Sequence, residues 1–279
     1  VAAGDFPFQP DKYSFAGSDF VNTLDVARQA AVAAGSVLSN YFGSGVAMRT
    51  KSASVDLVSD ADVNAERAVA EVIRSAFPDH SILGEEENSG SADAEHLWIV
   101  DPLDGTTNFA HGIPHFAVSI AYYRNGVAET AVVYNPIRED WYVATKGGGA
   151  FHNDQPIVVG DQQSLDQVVV GTGFHYDRGE KMEATLAAMG RLLRLQIHGI
   201  RRFGTASLDL AMVATGQLGV YFEYQLSSWD FAAGVLLVEE AGGRVSTSEG
   251  EPLKLATTSI LAANPGLYEI ALPLVNRNT

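Results

Sequence analysis

The sequence contains no cysteine. That absence excludes disulfides, thiolate zinc sites and cysteine nucleophiles. Basic residues are also scarce, with 18 Lys and Arg against 34 Asp and Glu for a formal charge of −16, which argues against a nucleic-acid backbone or an anionic membrane as the main partner. No apolar run approaches the roughly 20 residues of a membrane span. The N-terminus has neither the basic region nor the long apolar block of a signal peptide, so the expectation is a soluble cytoplasmic protein. A Gly-x-Ser-x-Gly elbow is missing, which leaves acyl-transfer hydrolysis without its nucleophile. Neither a repeat nor a low-complexity linker interrupts the chain.

What is present is enough chain, 279 residues, to bury a large core as one domain or as two tightly joined halves. Its centre is the run Trp98-Ile-Val-Asp-Pro-Leu-Asp-Gly-Thr-Thr-Asn-Phe109. The first three residues read as a buried strand, and the strand is expected to end in an acid-rich turn. Pro102 fixes its own φ and restricts Asp101, while Gly105 is free to adopt angles closed to other residues, so Asp101 and Asp104 can converge on one point. If Gly105 and Thr106 open a helix, their N–H groups form a small anion cradle beside those acids. An anion and two carboxylates repel one another there. At about 4 Å and an effective dielectric near 20, each like-charge pair costs on the order of 4 kcal/mol, and divalent cations resolve the conflict. Asp and Thr oxygens with a backbone carbonyl suit a hard cation such as Mg²⁺.

Residues 1–17 mix Pro, Gly and aromatics without period and read as an irregular arm. From Ser18 as a helix cap, Phe20, Leu24, Ala27, Ala31, Ala34, Leu38 and Phe42 recur in steps of three and four and mark an amphipathic helix closed by Gly43. After the basic pair Arg49 and Lys51, the segment from Asp56 to Asp62 leads into a second helix through Val69, Val72, Ile73 and Phe77. Asp56, Asp60 and Asp62 all fit helix N-terminal roles. Ser81–Gly84 reads as a strand ending in Glu85, Glu86 and Glu87, about sixteen residues before Asp101, and the two acid-ended strands are expected side by side. His115–Tyr123, Val127–Tyr134 and Trp141–Thr145 alternate as antiparallel strands, with Asn125-Gly126 as a hairpin turn. The glycines of Lys146-Gly-Gly-Gly149 lack Walker spacing and are expected to bend the next hairpin. His111 and His115 flank Gly112 and Pro114, which forbid a helical metal pair.

After about residue 153 strands and helices alternate instead. Gly204-Thr-Ala-Ser207 opens a helix, and Val220–Tyr224 is a buried strand carrying Glu223, a carboxylate that needs a partner beside such apolar neighbours. Ser227-Ser-Trp-Asp230 leads into a helix over 231–241, for which Asp230 is the expected N-cap.

Three segments, Gly84-Glu85-Glu86, Asp101-Pro-Leu-Asp-Gly-Thr-Thr-Asn-Phe109 and Trp229-Asp-Phe-Ala-Ala-Gly234, resemble the signatures of the inositol monophosphatase family of metal-dependent, lithium-inhibited phosphatases, in order and approximate spacing over residues 18–270. The resemblance implies an α+β, αβαβα layered sandwich of the sugar phosphatase type, with an antiparallel sheet in the half spanning 18–152, a mixed sheet in the half spanning 153–279, and the two halves in one compact unit. It further implies two or three Mg²⁺ ions. Glu85, Asp101 and the Leu103 carbonyl look like ligands of the first, Asp101, Asp104 and Asp230 like those of the second, and a third, weaker ion belongs near Glu85. Thr106 paired with Asp62 is similar to the couple that activates the attacking water, and the Gly105 and Thr106 N–H groups to those that hold phosphate. Asp104, Gly204, Thr205, Ala206 and Glu223 resemble the sugar-hydroxyl contacts. Lys51 matches a basic residue near the site, and Glu86 is a further candidate beside Glu85. The implied activity is hydrolysis of a small phosphorylated polyol, inositol monophosphate before histidinol phosphate, by a homodimer. Ser227 stands where some members carry histidine, and the 171–176 loop differs from the animal type. The alternative class is a regulatory protein that keeps the fold and works through a partner, as some bacterial relatives are thought to do with the transcription machinery.

Overall fold

In this computed structural model the chain is described over residues 22–44, 49–50, 57–58, 60–176 and 178–277. The N-terminal arm, Ser18, Phe20, Lys51 and Asp56 lie outside the described residues. The chain runs through α1 (Thr23–Ser44), an antiparallel pair β1 (Arg49–Thr50) and β2 (Leu57–Val58), and α2 (Asp60–Ala76). Next come β3 (Ser81–Gly84), β4 (His96–Asp104), the short α3 (Thr106–Ala110), β5 (Ala117–Arg124), β6 (Val127–Asn135), β7 (Asp140–Thr145), β8 (Gly149–His152) and β9 (Gln155–Ile157). The remainder is β10 (Val169–Thr172), α4 (Glu180–Leu193), β11 (Gly199–Arg201), α5 (Ala206–Ala214), β12 (Val220–Leu226), α6 (Ser228–Glu240), β13 (Arg244–Ser246), β14 (Thr258–Ala263) and α7 (Pro265–Val275).

Strands β3 to β9 form a seven-stranded sheet in chain order, and β11-β10-β12-β14-β13 a five-stranded mixed sheet. The first sheet is antiparallel except at its edge, where β3 runs parallel to β4 with Gly84 opposite Val100. The two acid-ended strands therefore do lie side by side. The strand Gln155–Ile157 still pairs into this sheet, so the change of sheet falls between Ile157 and Val169. Helices α1 and α2 cover one face of the first sheet, α5 and α6 fill the space between the sheets, and α4 and α7 cover the outer face of the second. The result is the αβαβα sandwich.

Period-two alternation explains why the central strands are apolar throughout. Leu97 and Ile99 of β4, with Ala117 and Ala121 of β5, face the middle helices. Trp98 and Val100, with Val118 and Ile120, face α1 and α2. Both faces are covered, so every position is selected for burial rather than every second one. In the second sheet Tyr221 and Ile260 point to the middle layer, and Phe222 and Leu261 to the outer one. The β5–β6 turn has Asn125 at φ 51° and Gly126 at φ 75°, the pair of positive φ angles that a two-residue hairpin of right-handed twist requires.

Helix α1 begins at Thr23, with the Asn22 side chain accepting the N–H groups of Leu24 at 2.7 Å and Asp25 at 3.3 Å. Its end lies at Ser44, one residue past Gly43. The glycine hairpin after Lys146 does bind an anion, but an internal one. The N–H groups of Gly147 and Gly149 donate to the two carboxylate oxygens of Glu240, at 2.8 and 2.9 Å, and tie the hairpin to the C-terminal end of α6.

Candidate active site

The central strand does not stop where its apolar run stops. Strand β4 continues through the acids to Asp104, and its pairing with β5 carries an irregularity: Asp101 lies opposite Ser119 and Asp104 opposite Ala117, three steps against two. In a regular strand residues three apart point to opposite faces. The extra residue is a bulge, and it turns both carboxylates to the face that looks toward the middle layer. Gly105 follows at φ 95°, a conformation with a steric cost for any residue bearing a Cβ, and Thr106 starts α3.

From the other half, the N-terminal end of α5 approaches the same point. The Ser207 N–H and hydroxyl donate to Asp104 Oδ2 at 2.7 and 2.6 Å, so Asp104 satisfies the opening turn of α5 and benefits from its dipole. Asn108 secures the junction by donating from Nδ2 to the carbonyls of His115 at 2.7 Å and Phe203 at 2.8 Å. The Thr205 hydroxyl donates to the same His115 carbonyl at 2.9 Å. His115 has a structural place here. Its ring is tilted against Phe203, and burial, then the nearby Arg138 charge, lowers its pKa to about 4.

Between these elements lies a cavity of about 600 Å³ lined by Glu85, Asp101, Leu103, Asp104, Gly105, Thr106, Gly204, Thr205, Ala206, Glu223 and Asp230. Phe174, His175, Tyr176, Gln225 and Ser227 line another part of its wall, and Arg202 brings a positive charge to it. Thus the expected metal ligands and polyol contacts come to one place although they span residues 85 to 230. Asp62 stands behind the wall, buried, where the Thr106 hydroxyl reaches its Oδ1 at 3.4 Å and the Leu103 carbonyl at 3.1 Å. Glu86 does not line the cavity, and its N–H is committed to Glu66 Oε2 at 2.7 Å. Lys51 lies outside the described residues.

Asp230 is not the N-cap expected from sequence. Helix α6 starts at Ser228, earlier than the apolar run at 231, with Ser227 as its cap. Asp230 occupies the third helical position and its Oδ2 accepts the Ser227 N–H at 2.6 Å, the returning half of a capping box. That bond fixes the carboxylate while it faces the cavity.

The electrostatics of the cavity are those of crowded acids in low dielectric. Burial, and then the charges of Glu85, Asp104 and Asp230, push Asp101 well above the ordinary carboxylate range. Burial raises Asp230 likewise, followed by Asp104 and Glu85. Burial lifts Asp104 to about 6 despite the opposing bonds from Ser207. Glu223 is raised to about 7, chiefly by burial, against the stabilising Tyr221 hydroxyl at 2.8 Å. Asp209, on α5, is also buried and raised. Among the described residues no three His, Asp or Glu side chains close around one point as a preformed coordination sphere. The acids instead face the cavity from β4, α6 and the turn after β3, and act on one another through their charge. Hard oxygen donors so placed, each destabilised by its neighbours' charge, fit a divalent cation of the Mg²⁺ type.

A family model described as the inositol monophosphatase family matches residues 20–279. The chain belongs to that family. It is 43% identical over 255 residues to a putative Nus factor SuhB of Neisseria meningitidis serogroup B, covering 91% of this chain and 97% of that protein. An inositol-1-monophosphatase of Rhizobium meliloti is 42% identical over 257 residues, 91% of this chain and 96% of its own. Among solved structures, the extragenic suppressor protein suhB of Bartonella henselae superposes with a TM-score of 0.85 at 38% identity, over 91% of this chain and 98% of the other. Membership of the inositol monophosphatase family supports a phosphatase function and a phosphorylated small-molecule substrate. Among the described residues no helix is long and apolar enough to cross a membrane.

Several site residues escaped the sequence reading. Glu66, Asn108, Ser207 and Asp209 are all buried polar groups. Only Glu66 carried a signal: it stands one turn after Asp62 on the stripe of α2 that also holds Val69, Ala70 and Ile73, where a charge has no place unless partnered.

Proposed function

We propose that the chain is a Mg²⁺-dependent phosphomonoesterase that hydrolyses inositol monophosphate to inositol and phosphate. The observation that carries this reading is the convergence of Glu85, Asp101, Asp104 and Asp230 with Gly105 and Thr106 on one cavity. In this reading Glu85, Asp101 and the Leu103 carbonyl hold one ion, Asp101, Asp104 and Asp230 a second, and a third binds more weakly near Glu85. When bound, such ions supply positive charge for the phosphoryl and departing oxygens and lower the pKa of water.

The remaining work falls to the chain itself. With its proton directed to Asp62, the Thr106 oxygen can accept from the attacking water, and the proton the water gives up passes to Thr106 as Thr106 passes its own to Asp62. The N–H groups of Gly105 and Thr106, at the start of a helical turn, receive the phosphate oxygens. Glu223, set in place by Tyr221, and Asp104 accept from polyol hydroxyls, with Gly204, Thr205 and Ala206 shaping that wall. Histidinol phosphate or another small sugar phosphate is the alternative substrate, since Ser227 and the loop that includes His175 and Tyr176 form the part of the wall that meets the alcohol. The protein is proposed to act in the cytoplasm as a homodimer.

Phosphate release from inositol monophosphate, histidinol phosphate, fructose bisphosphate and a nucleotide 3'-phosphate, each with Mg²⁺, tests the reading. Asp101→Asn is expected to abolish turnover of the preferred substrate, and near wild-type rates in that variant refute the assignment. The relative named a putative Nus factor favours a second reading, a binding protein that retains the fold and acts through a partner. Inertness toward the whole panel, together with a stable co-purifying protein, selects it.

A further inference from the structure

Glu66 is fully buried on α2, and the proposed chemistry does not use it. Its carboxylate accepts the N–H groups of three successive residues, Glu86 on Oε2 at 2.7 Å and Glu87 and Asn88 on Oε1 at 2.8 Å each. The Asn88 side-chain amide adds a fourth bond to Oε1 at 2.7 Å. Successive main-chain N–H groups turned to one side form an anion-binding concavity. Here the anion is a side chain from another element, and every bond is charge-assisted.

The residue immediately before this concavity is Glu85, the cavity carboxylate contributed by the turn after β3. On its other side Gly84 is fixed by pairing with Val100 and by its own N–H donating to the Asn88 carbonyl at 2.7 Å. Gly84 also explains how Glu66 approaches so closely, because a Cβ at position 84 would lie 2.6 to 2.7 Å from all three atoms of the Glu66 carboxyl group. Farther along the turn, Arg67 pairs with Glu87 and Arg74 donates to the Asn88 side chain. Both tethers are exposed and contribute little beside a buried anion with four donors.

We infer that Glu66 is a positioning residue: its carboxylate, seated in the N–H groups of residues 86–88, holds Glu85 in place for the divalent cation. This rests on the phosphatase reading and goes beyond it. Helix α2 then serves the site at two points one turn apart, with Asp62 behind Thr106 and Glu66 beneath Glu85. Without the Glu66 anion, four donors turn to water, and Glu85 must be ordered anew each time an ion binds.

Glu66→Gln retains the shape but places an amide NH₂ against N–H donors. By analogy with outer-shell partners of metal ligands, it is expected to weaken Mg²⁺ binding roughly 10- to 100-fold in calorimetry. The KM for Mg²⁺ rises by the same factor, and kcat at saturating Mg²⁺ is largely kept. In the metal-free protein the amides of residues 86–88 exchange hydrogen faster than in wild type. Gly84→Ala, which displaces the carboxylate without removing it, reproduces the pattern. Val69→Ala, a core truncation on the same helix, lowers Tm but leaves Mg²⁺ affinity unchanged. Wild-type Mg²⁺ affinity in folded Glu66→Gln or Gly84→Ala overturns the inference, as does an equal loss of affinity in Val69→Ala. Wild-type protein that binds no Mg²⁺ sinks the phosphatase reading itself, whereas binding that survives Glu66→Gln sinks only the role of Glu66.

Discussion

Replacing Asp104 by Asn is expected to stabilise the metal-free protein while removing its activity. Asp104 is 8% exposed, and burial lifts its pKa from an ordinary 3.8 to about 6. Between those two values the folded chain retains a proton that the unfolded chain has released. Stability therefore falls as pH rises through that window, and the penalty is complete above pH 6. A gap of roughly two pH units at about 1.36 kcal/mol each gives a penalty of about 3 kcal/mol at neutral pH. The Ser207 bonds to the carboxylate are already contained in that pKa, and the Asn oxygen still accepts the Ser207 N–H, so nothing further is subtracted. The gain is therefore about 3 kcal/mol, or a Tm higher by roughly 6–12 °C for a chain of this size. Melts in EDTA at pH 7.5 measure it, and a series down to pH 4 shows the advantage shrinking as wild-type Asp104 protonates. Mg²⁺ reverses the order, because a ligand present at about a thousand times its Kd adds about 4.1 kcal/mol to the protein that binds it. A less stable Asp104→Asn in EDTA at pH 7.5, or a difference that does not vary with pH, refutes the electrostatic reasoning.

Gly105→Ala forces a side chain onto a φ of 95° and drives its Cβ into the Thr205 hydroxyl that holds the His115 carbonyl. The strained backbone alone costs about 1–3 kcal/mol. Urea denaturation should show at least that loss, with phosphate release falling further, and wild-type stability would show that the bend tolerates a side chain. Glu240→Ala removes the acceptor of the Gly147 and Gly149 N–H groups. It should lower stability by about 1 kcal/mol and leave kcat and KM as they are; altered kinetics would tie the glycine hairpin to catalysis.

Much of this protein is determined by short-range pattern. The three-and-four spacing in α1 and α2, the alternation of β5 to β7, and the positive-φ turn at Asn125-Gly126 are dictated by neighbours within a turn or a pleat. Sequence therefore carries them directly. The acids at the ends of β3 and β4 were visible for the same reason, and the parallel β3–β4 pair sets them side by side. Tertiary structure decided the rest. The bulge that turns Asp101 and Asp104 to one face is a property of two paired strands, not of the run Asp-Pro-Leu-Asp itself. Ser207 binds Asp104 across 103 residues, and Thr205 with Asn108 joins the halves over similar separations. Glu240 takes the glycine hairpin that could otherwise have been read as a phosphate loop. Asp230 is a local exception: it sits at the third position of α6 rather than at its cap because Ser227 takes the cap and the two residues close a capping box. Buried polar groups take whichever partner packing brings to them. That choice depends on distant elements meeting, and no local pattern of residues encodes it.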